Sequence, residues 1–115
     1  LQAQGLTVVA QGAQSLGLSV MVFSGYTKNE LDVLQLPGVD QLIRYTDVLV
    51  DGPYEVNLPE QNRRWAGSTN QQFHYLTTRY DARIESDGEV ERVLEVRLRT
   101  DGSMFINGWP EKVLR

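Results

Sequence analysis

Cysteine is absent from all 115 residues, and that absence removes whole classes of chemistry. Disulfides, thiolate zinc sites, cysteine nucleophiles and cysteine-ligated iron–sulfur clusters all need a sulfur that this chain does not carry. Histidine is nearly absent too. His74 is the only imidazole, so a histidine-rich metal site is excluded and a Ser-His-Asp triad would have to use that one residue. Long hydrophobic runs are missing. The longest, near Leu18 to Phe23, is far too short to cross a bilayer. No basic segment followed by an apolar core opens the chain, so no secretory signal is visible. Positive charge is scarce: 11 Lys and Arg stand against 15 Asp and Glu, for a net charge of −4. Arg63-Arg64 is the only adjacent basic pair, which is no footprint for nucleic acid.

What is present is ordinary for a soluble globular chain: 41% hydrophobic and 23% charged residues. The length allows one domain with a real core. Apolar spacings of three and four at Ala3, Leu6, Val9, Ala13 and Leu16 predict an amphipathic helix over 3–16. Gly17 stands where a helix-terminating glycine belongs. Leu18 to Phe23 reads as a strand, and Ser24-Gly25-Tyr26 as a turn. Thr27 and Glu30 have capping-box spacing, opening a short helix through about Leu34. Pro37-Gly38 breaks it, and Asp40 is expected to cap one more turn over 41–45.

Asp47 to Tyr54 is the stretch around which the rest is organised. Val48-Leu49-Val50 between two aspartates reads as a short buried strand ended by Gly52-Pro53. Helix, strand, helix, strand implies a parallel sheet. The helix comes first, without the strand that should precede it, and the first residue is Leu. Both features predict a piece of something longer.

Residues 53–72 are polar and irregular, although Trp65 argues for order. Farther on, Asp87-Gly88 and Asp101-Gly102 each read as a type I′ hairpin turn. Val90, Leu94, Val96 and Leu98 alternate with charged residues between them. An antiparallel three-stranded meander over 82–107 is therefore expected, with Gly108-Trp109-Pro110 as its tail. The chain divides near residue 78 into an α/β portion, 1–78, and a β appendage, 79–115.

Parallel strands present ligands at their carboxyl ends. Ser24 and Asp51 would lie on the same rim, in a geometry suited to a hydroxyl-rich ligand such as a ribose. Asp51 reads equally as a turn aspartate bonding the Gly52-Pro53 region, and Ser24-Gly25 as a plain turn. Gly67-Ser68-Thr69-Asn70-Gln71 is either a surface turn or an ordered loop whose amides hold backbone. His74, in a β-like Phe73-His74-Tyr75 context, reads as structural, since no second imidazole or cysteine is near it.

Three segments together resemble a known family. Val22-Phe23-Ser24-Gly25-Tyr26-Thr27 with the Glu30-Leu31 helix, then Asp47 to Tyr54, then Gly67 to Gln71, resemble in order and spacing the second half of radical S-adenosylmethionine (SAM) activating proteins. The anaerobic ribonucleotide reductase branch is the nearer, and the pyruvate formate-lyase branch more distant. The resemblance implies the C-terminal part of a partial (β/α) barrel, with the β meander appended. It implies a [4Fe–4S] cluster and SAM in the full-length parent, a glycyl-radical enzyme as partner, and a cytoplasmic setting. By position Ser24 matches a hydroxyl residue near SAM. Asp51 matches an acidic residue near its ribose or methionyl part, and Asn70 and Gln71 match a signature loop.

The departures are definite. The cysteine loop and the Gly-Gly-Glu segment that binds the SAM amino group are absent. Pro53 stands where the formate-lyase branch has lysine, and Gln72 where the reductase branch commonly has arginine. The chain is thus expected to be a C-terminal fragment, inactive alone, whose exposed sheet edges could support a homodimer. The rival is a stand-alone, non-enzymatic α/β domain acting in protein–protein interaction. A hydrolase using His74 with Ser68 or Asp51 is a third, weaker reading.

Overall fold

The computed structural model describes residues 3–87, 90 and 92–107. The elements run α1 (Ala3–Ser15), β1 (Ser19–Ser24), α2 (Lys28–Leu34), α3 (Val39–Arg44), β2 (Val48–Asp51), β3 (Gln72–Tyr75), α4 (Ile84–Asp87), β4 (Val93–Leu98) and β5 (Met104–Asn107). The strands form one mixed sheet in the order β3-β2-β1-β4-β5. Strand β1 lies at its centre, parallel to β2 on one side and to β4 on the other. The antiparallel strands β3 and β5 form the edges. No helix of the described residues is long and apolar enough to cross a membrane.

Local sequence chemistry sets the first half. Helix α1 ends in a Schellman motif: the Gly17 N–H donates to Gln14 C=O and the Leu18 N–H to Ala13 C=O, both at 2.9 Å. The motif needs a left-handed residue, and Gly17 supplies it with φ 78°. The reversal sends the chain straight into β1. Helix α2 starts on the capping box, with Thr27 Oγ1 accepting from the Glu30 N–H and Glu30 Oε1 accepting from the Thr27 N–H. For α3 the cap is Gly38 rather than Asp40. Val39 is the first buried residue, so the helix begins two residues earlier and Asp40 falls inside its first turn.

Every residue of β1 and β2 is buried, because both faces of the sheet are covered. Val20, Val22, Leu49, Leu94, Val96 and Leu98 pack beneath α1, α2 and α3. On the opposite face Met21, Phe23, Val48 and Val50 are covered by Ile84 of α4 and by Trp65, Tyr75 and Tyr80. The Tyr75 hydroxyl donates to Glu85 Oε2 at 2.6 Å. Burial and that carboxylate push the hydroxyl well above the ordinary tyrosine range.

The second half departs from the sequence reading. The meander arm expected just before Asp87 is not a strand. Residues 84–87 are a helical turn, started by Asp81, whose carboxylate accepts from the Arg83 N–H and whose C=O accepts from the Ile84 N–H. Burial of Ile84 against Met21 and Phe23 decides it. Strand β4 belongs to no separate meander: it runs parallel to β1 over six residue pairs, Ser19↔Val93 to Ser24↔Leu98. Leu94, Val96 and Leu98 are too apolar for a peripheral strand, and beside β1 all three are buried. One sheet therefore spans both sides of the division expected near residue 78. The expected α/β class is observed, as a five-stranded mixed sheet in which β2 and β4 flank β1.

The Asp101-Gly102 hairpin is present, but not as type I′. Gly102 alone in the loop has positive φ, at 89°. Its N–H donates to Arg99 C=O, giving a type I turn closed by a left-handed glycine. Gly108-Trp109-Pro110 lies outside the described residues.

At the amino end of the sheet a buried carboxylate ties β1, β2 and the chain after β3 together. Asp47 Oδ2 accepts from the Val20 N–H at 2.9 Å and Oδ1 from Thr77 Oγ1 at 2.9 Å. Arg79 lies 3.9 Å away and donates to the last carbonyls of the α1 turn, Gly17 and Leu18. Asp47→Ala orphans a buried N–H and should cost about 1–3 kcal/mol. Asp47→Asn, which keeps one acceptor, should cost less. Urea denaturation of the three proteins checks the order.

Candidate functional site

The carboxyl ends of β1, β2 and β4 open on a cavity of about 570 Å³. Phe23, Ser24 and Gly25 come from β1, Gly52 and Pro53 from β2, and Arg97 to Asp101 from β4 and its turn. Trp65, Gly67 and Gln71 close it from the long loop. The topology explains the position. From β1 the chain proceeds to β2 on one side, while from β4 it proceeds to β5 on the other. The crevice lies where the connections diverge, the usual ligand position in an open α/β sheet. The volume is within the range of small-molecule sites.

A second cavity of about 400 Å³ shares the Gly52-Pro53 wall. Thr27, Lys28 and Asn29 line it together with Asp51, Asn70 and His74.

Ser24 and Asp51 are direct register partners, as their positions at two parallel strand ends implied. Both are buried. Each is already engaged. Ser24 Oγ accepts from the Tyr26 N–H and donates to Tyr26 C=O, both at 2.9 Å, which fixes the turn after β1. Asp51 Oδ2 accepts from the Lys28 N–H at 2.6 Å, which fixes the start of α2. Asp51 therefore bonds across to α2 rather than to its own Gly52-Pro53 turn. Ser24 lines the larger cavity and Asp51 the smaller, so the shared rim is divided by Gly52 and Pro53.

Strand pairing also brings His74 to Asp51, a pairing that the sequence raised only in the weaker hydrolase reading. His74 Nε2 approaches Asp51 Oδ2 to 3.1 Å. The approach is off the line of a hydrogen bond, and Nε2 is otherwise without a partner. Leu49↔His74 and Asp51↔Gln72 register across the antiparallel β2–β3 pair is what places it. Ser68 does not join them. Its Oγ accepts from the Glu55 N–H, and it is not among the residues lining either cavity. The Ser68–His74 hydrolase arrangement is therefore not assembled.

The Gly67–Gln71 loop holds backbone of its own chain. The Gln71 carboxamide accepts from the Gly67 N–H at 2.8 Å and donates to Gly52 C=O at 3.1 Å. Asn70 Nδ2 donates to Pro53 C=O at 2.8 Å. Together they clamp the two residues that follow Asp51. Arg63 clamps the loop from the other side: Nη1 donates to Gln71 C=O at 2.9 Å, and Nη2 to Ser68 and Thr69 C=O, each at 3.3 Å. Its Nε donates to Glu60 Oε1 at 2.7 Å. The three-residue spacing of Glu60 and Arg63 was the available signal, and Arg63-Arg64 read as mere charge obscured it. The clamp also sets Trp65, which takes φ 75°, a strained value for a bulky residue. Trp65 stacks on Phe23 at 6.2 Å between ring centroids.

A family model described as a 4Fe-4S single cluster domain matches residues 1–74. The chain is 36% identical over 64 residues to an anaerobic ribonucleoside-triphosphate reductase-activating protein of Escherichia coli strain K12. The corresponding protein of Salmonella typhi is 34% identical over 64 residues. Each match covers 56% of this chain and 39% of the relative, so the chain spans about two fifths of the length of the curated relatives it matches. No solved structure gives a significant match. The residues present do not fit the cluster in the family's description. The chain has no cysteine, and no three His, Asp or Glu side chains gather into a metal site among the described residues.

The loop clamp carries a pH signature. The Arg63 N–H, then the Arg63 guanidinium and the Asn62 N–H, hold the Glu60 carboxyl down at about 2. Its ordinary value is about 4.3. A lowered carboxyl stabilises the fold fully above the unfolded value, and this contribution is lost as pH falls through the folded one. Between roughly pH 4.5 and pH 2 the urea midpoint of the parent chain should therefore fall more steeply than that of Glu60→Gln. Paired urea titrations across that window check it.

Proposed function

The chain belongs to the 4Fe-4S single cluster domain family, and on that premise we propose that it forms one wall of a SAM site in a protein that activates a glycyl-radical enzyme. The observation that carries the reading is the cavity at the carboxyl ends of β1, β2 and β4, with Ser24 in its lining and its register partner Asp51 in the adjoining cavity across Gly52 and Pro53. SAM fits this wall by chemistry. The Phe23–Trp65 stack offers an apolar platform for a purine. Asp51, across the Gly52-Pro53 wall, offers a carboxylate acceptor for ribose hydroxyls. Ser24 sets the turn over which the ligand lies. Asn70 and Gln71 act one step removed, by fixing the backbone of Pro53 and Gly52.

In this reading the cluster is held by residues other than those of this chain, and the chain by itself is not catalytic. The partner is an anaerobic ribonucleoside-triphosphate reductase, because the relatives are named as activating proteins of that enzyme, and a glycyl-radical enzyme is what the family resemblance implies. A cytoplasmic setting, and the division of labour between residues 1–78 and 79–115, belong to the same reading. A homodimer would form through the β3 or β5 edge.

One observation favours a second reading. Strand β4 pairs with the edge of β1 opposite β2, so both edges of β1 are paired within the chain. A stand-alone interaction domain has that property. Titrating SAM into the isotope-labelled chain separates the two. The SAM reading expects amide shifts at Gly25, Gly52 and Gly67 that saturate. Monodisperse protein with no shift at millimolar SAM would reverse the choice.

A further inference from the structure

The smaller cavity carries a buried carboxylate that no lysine or arginine meets. The Asp51 side chain is 7% exposed, and among the described residues the basic side chain in contact with it is His74. Lys28 lines the same cavity, but its ammonium lies 3.6 Å from Asp32. The Lys28 N–H bonds to Oδ2 and leaves Oδ1 outside that bond. A carboxylate taken out of water needs a positive partner, either a paired cation or a metal.

Two further polar atoms of this lining are buried without a hydrogen-bond partner, His74 Nε2 and Asn70 Oδ1. The bond from Asn70 Nδ2 to Pro53 C=O settles which end of that carboxamide is the oxygen. The wall thus combines an imidazole nitrogen, a carboxylate and an amide oxygen. Two of these donors come from His and Asp and the third from Asn, so the set differs from a cluster of three His, Asp or Glu side chains. The spacing of the first two is informative. Nε2 and Oδ2 stand 3.1 Å apart, off the line of a hydrogen bond. Two neighbouring ligands of one metal ion, each bonded at about 2.1 Å, stand roughly 3.0–3.4 Å apart.

We infer that Asp51 and His74, with Asn70 Oδ1, form a binding site for a divalent transition-metal ion of the zinc type. Imidazole beside carboxylate favours such an ion over magnesium or calcium, which take oxygen ligands. The site is separate from any iron–sulfur cluster, which thiolates would have to hold. It does not rest on the SAM reading, although the two share the Asp51 carboxylate.

Titration of Zn²⁺ into the whole isotope-labelled chain, without SAM, tests this by NMR. The expected result is a saturable shift of the His74 Nε2 resonance together with the Asp51 and Asn70 amides. Co²⁺ should perturb the same signals through its paramagnetism, and Mg²⁺ should leave them in place. His74→Gln should weaken Zn²⁺ binding by roughly tenfold or more. Its amide spectrum away from the cavity should match that of the parent chain, which shows that the variant is folded. Zn²⁺ binding that leaves Nε2 unmoved, saturation of the same signals by Mg²⁺, equal Zn²⁺ affinity in His74→Gln, or no saturable shift at all would each overturn the inference. The SAM reading is scored separately, by the Gly25 and Gly67 shifts in the larger cavity.

Discussion

Strand β1 cannot be exposed on any side. Its six residues are buried, its two faces are apolar, and its main-chain N–H and C=O groups need partners along both edges. That requirement is the constraint from which the rest follows. Strand β2 meets it on one edge and β4 on the other, both parallel. Parallel neighbours cannot be joined by tight turns, so the chain spends α2 and α3 on one crossover and the whole of 52–92 on the way to β4. The long polar loop is thus a consequence of the sheet, and its residues return to cover the face the helices leave open. Trp65, Tyr80 and Ile84 do so.

The cavity is a second consequence. Three parallel strands end on one rim, and the chain leaves that rim in opposite directions. The opening is then shaped by groups held for other reasons. Ser24 is fixed by Tyr26, Asp51 by Lys28, and Gly52 and Pro53 by Gln71 and Asn70. Such interlocking gives rigid walls without strain at most positions. Trp65 is the exception, with its left-handed backbone held by burial and by the Arg63–Glu60 clamp. The family match and the lack of any cysteine fit together if this rim serves a ligand while other residues hold the cluster.

Features set within a few residues were legible in the sequence. The Thr27–Glu30 capping box, the Gly17 terminus, both buried strands and the Asp101-Gly102 hairpin each rest on local geometry and appear in the structure. Features set by distant pairing were not. Val93 to Leu98 alternates like a meander arm, and nothing within it says that β1, some seventy residues earlier, is its neighbour. The Asp87-Gly88 turn reaches outside the described residues; before it, burial of Ile84 makes a helical turn of 84–87 where a strand was expected. The Ser24–Asp51 juxtaposition was readable from two parallel strand ends. The His74 contact needed the β2–β3 register, and the place of Arg97 in the cavity lining needed β4 beside β1.

The central claim is that β4 lies parallel to β1 and thereby completes both sheet and cavity. Cross-strand amide and Hα NOEs in the labelled chain test it most directly. The account expects contacts between Met21, Val22 and Phe23 and their partners Glu95, Val96 and Arg97, alongside the antiparallel contacts from Leu98 to Met104. A 93–107 segment showing only its own hairpin contacts, with none to 19–24, would contradict it.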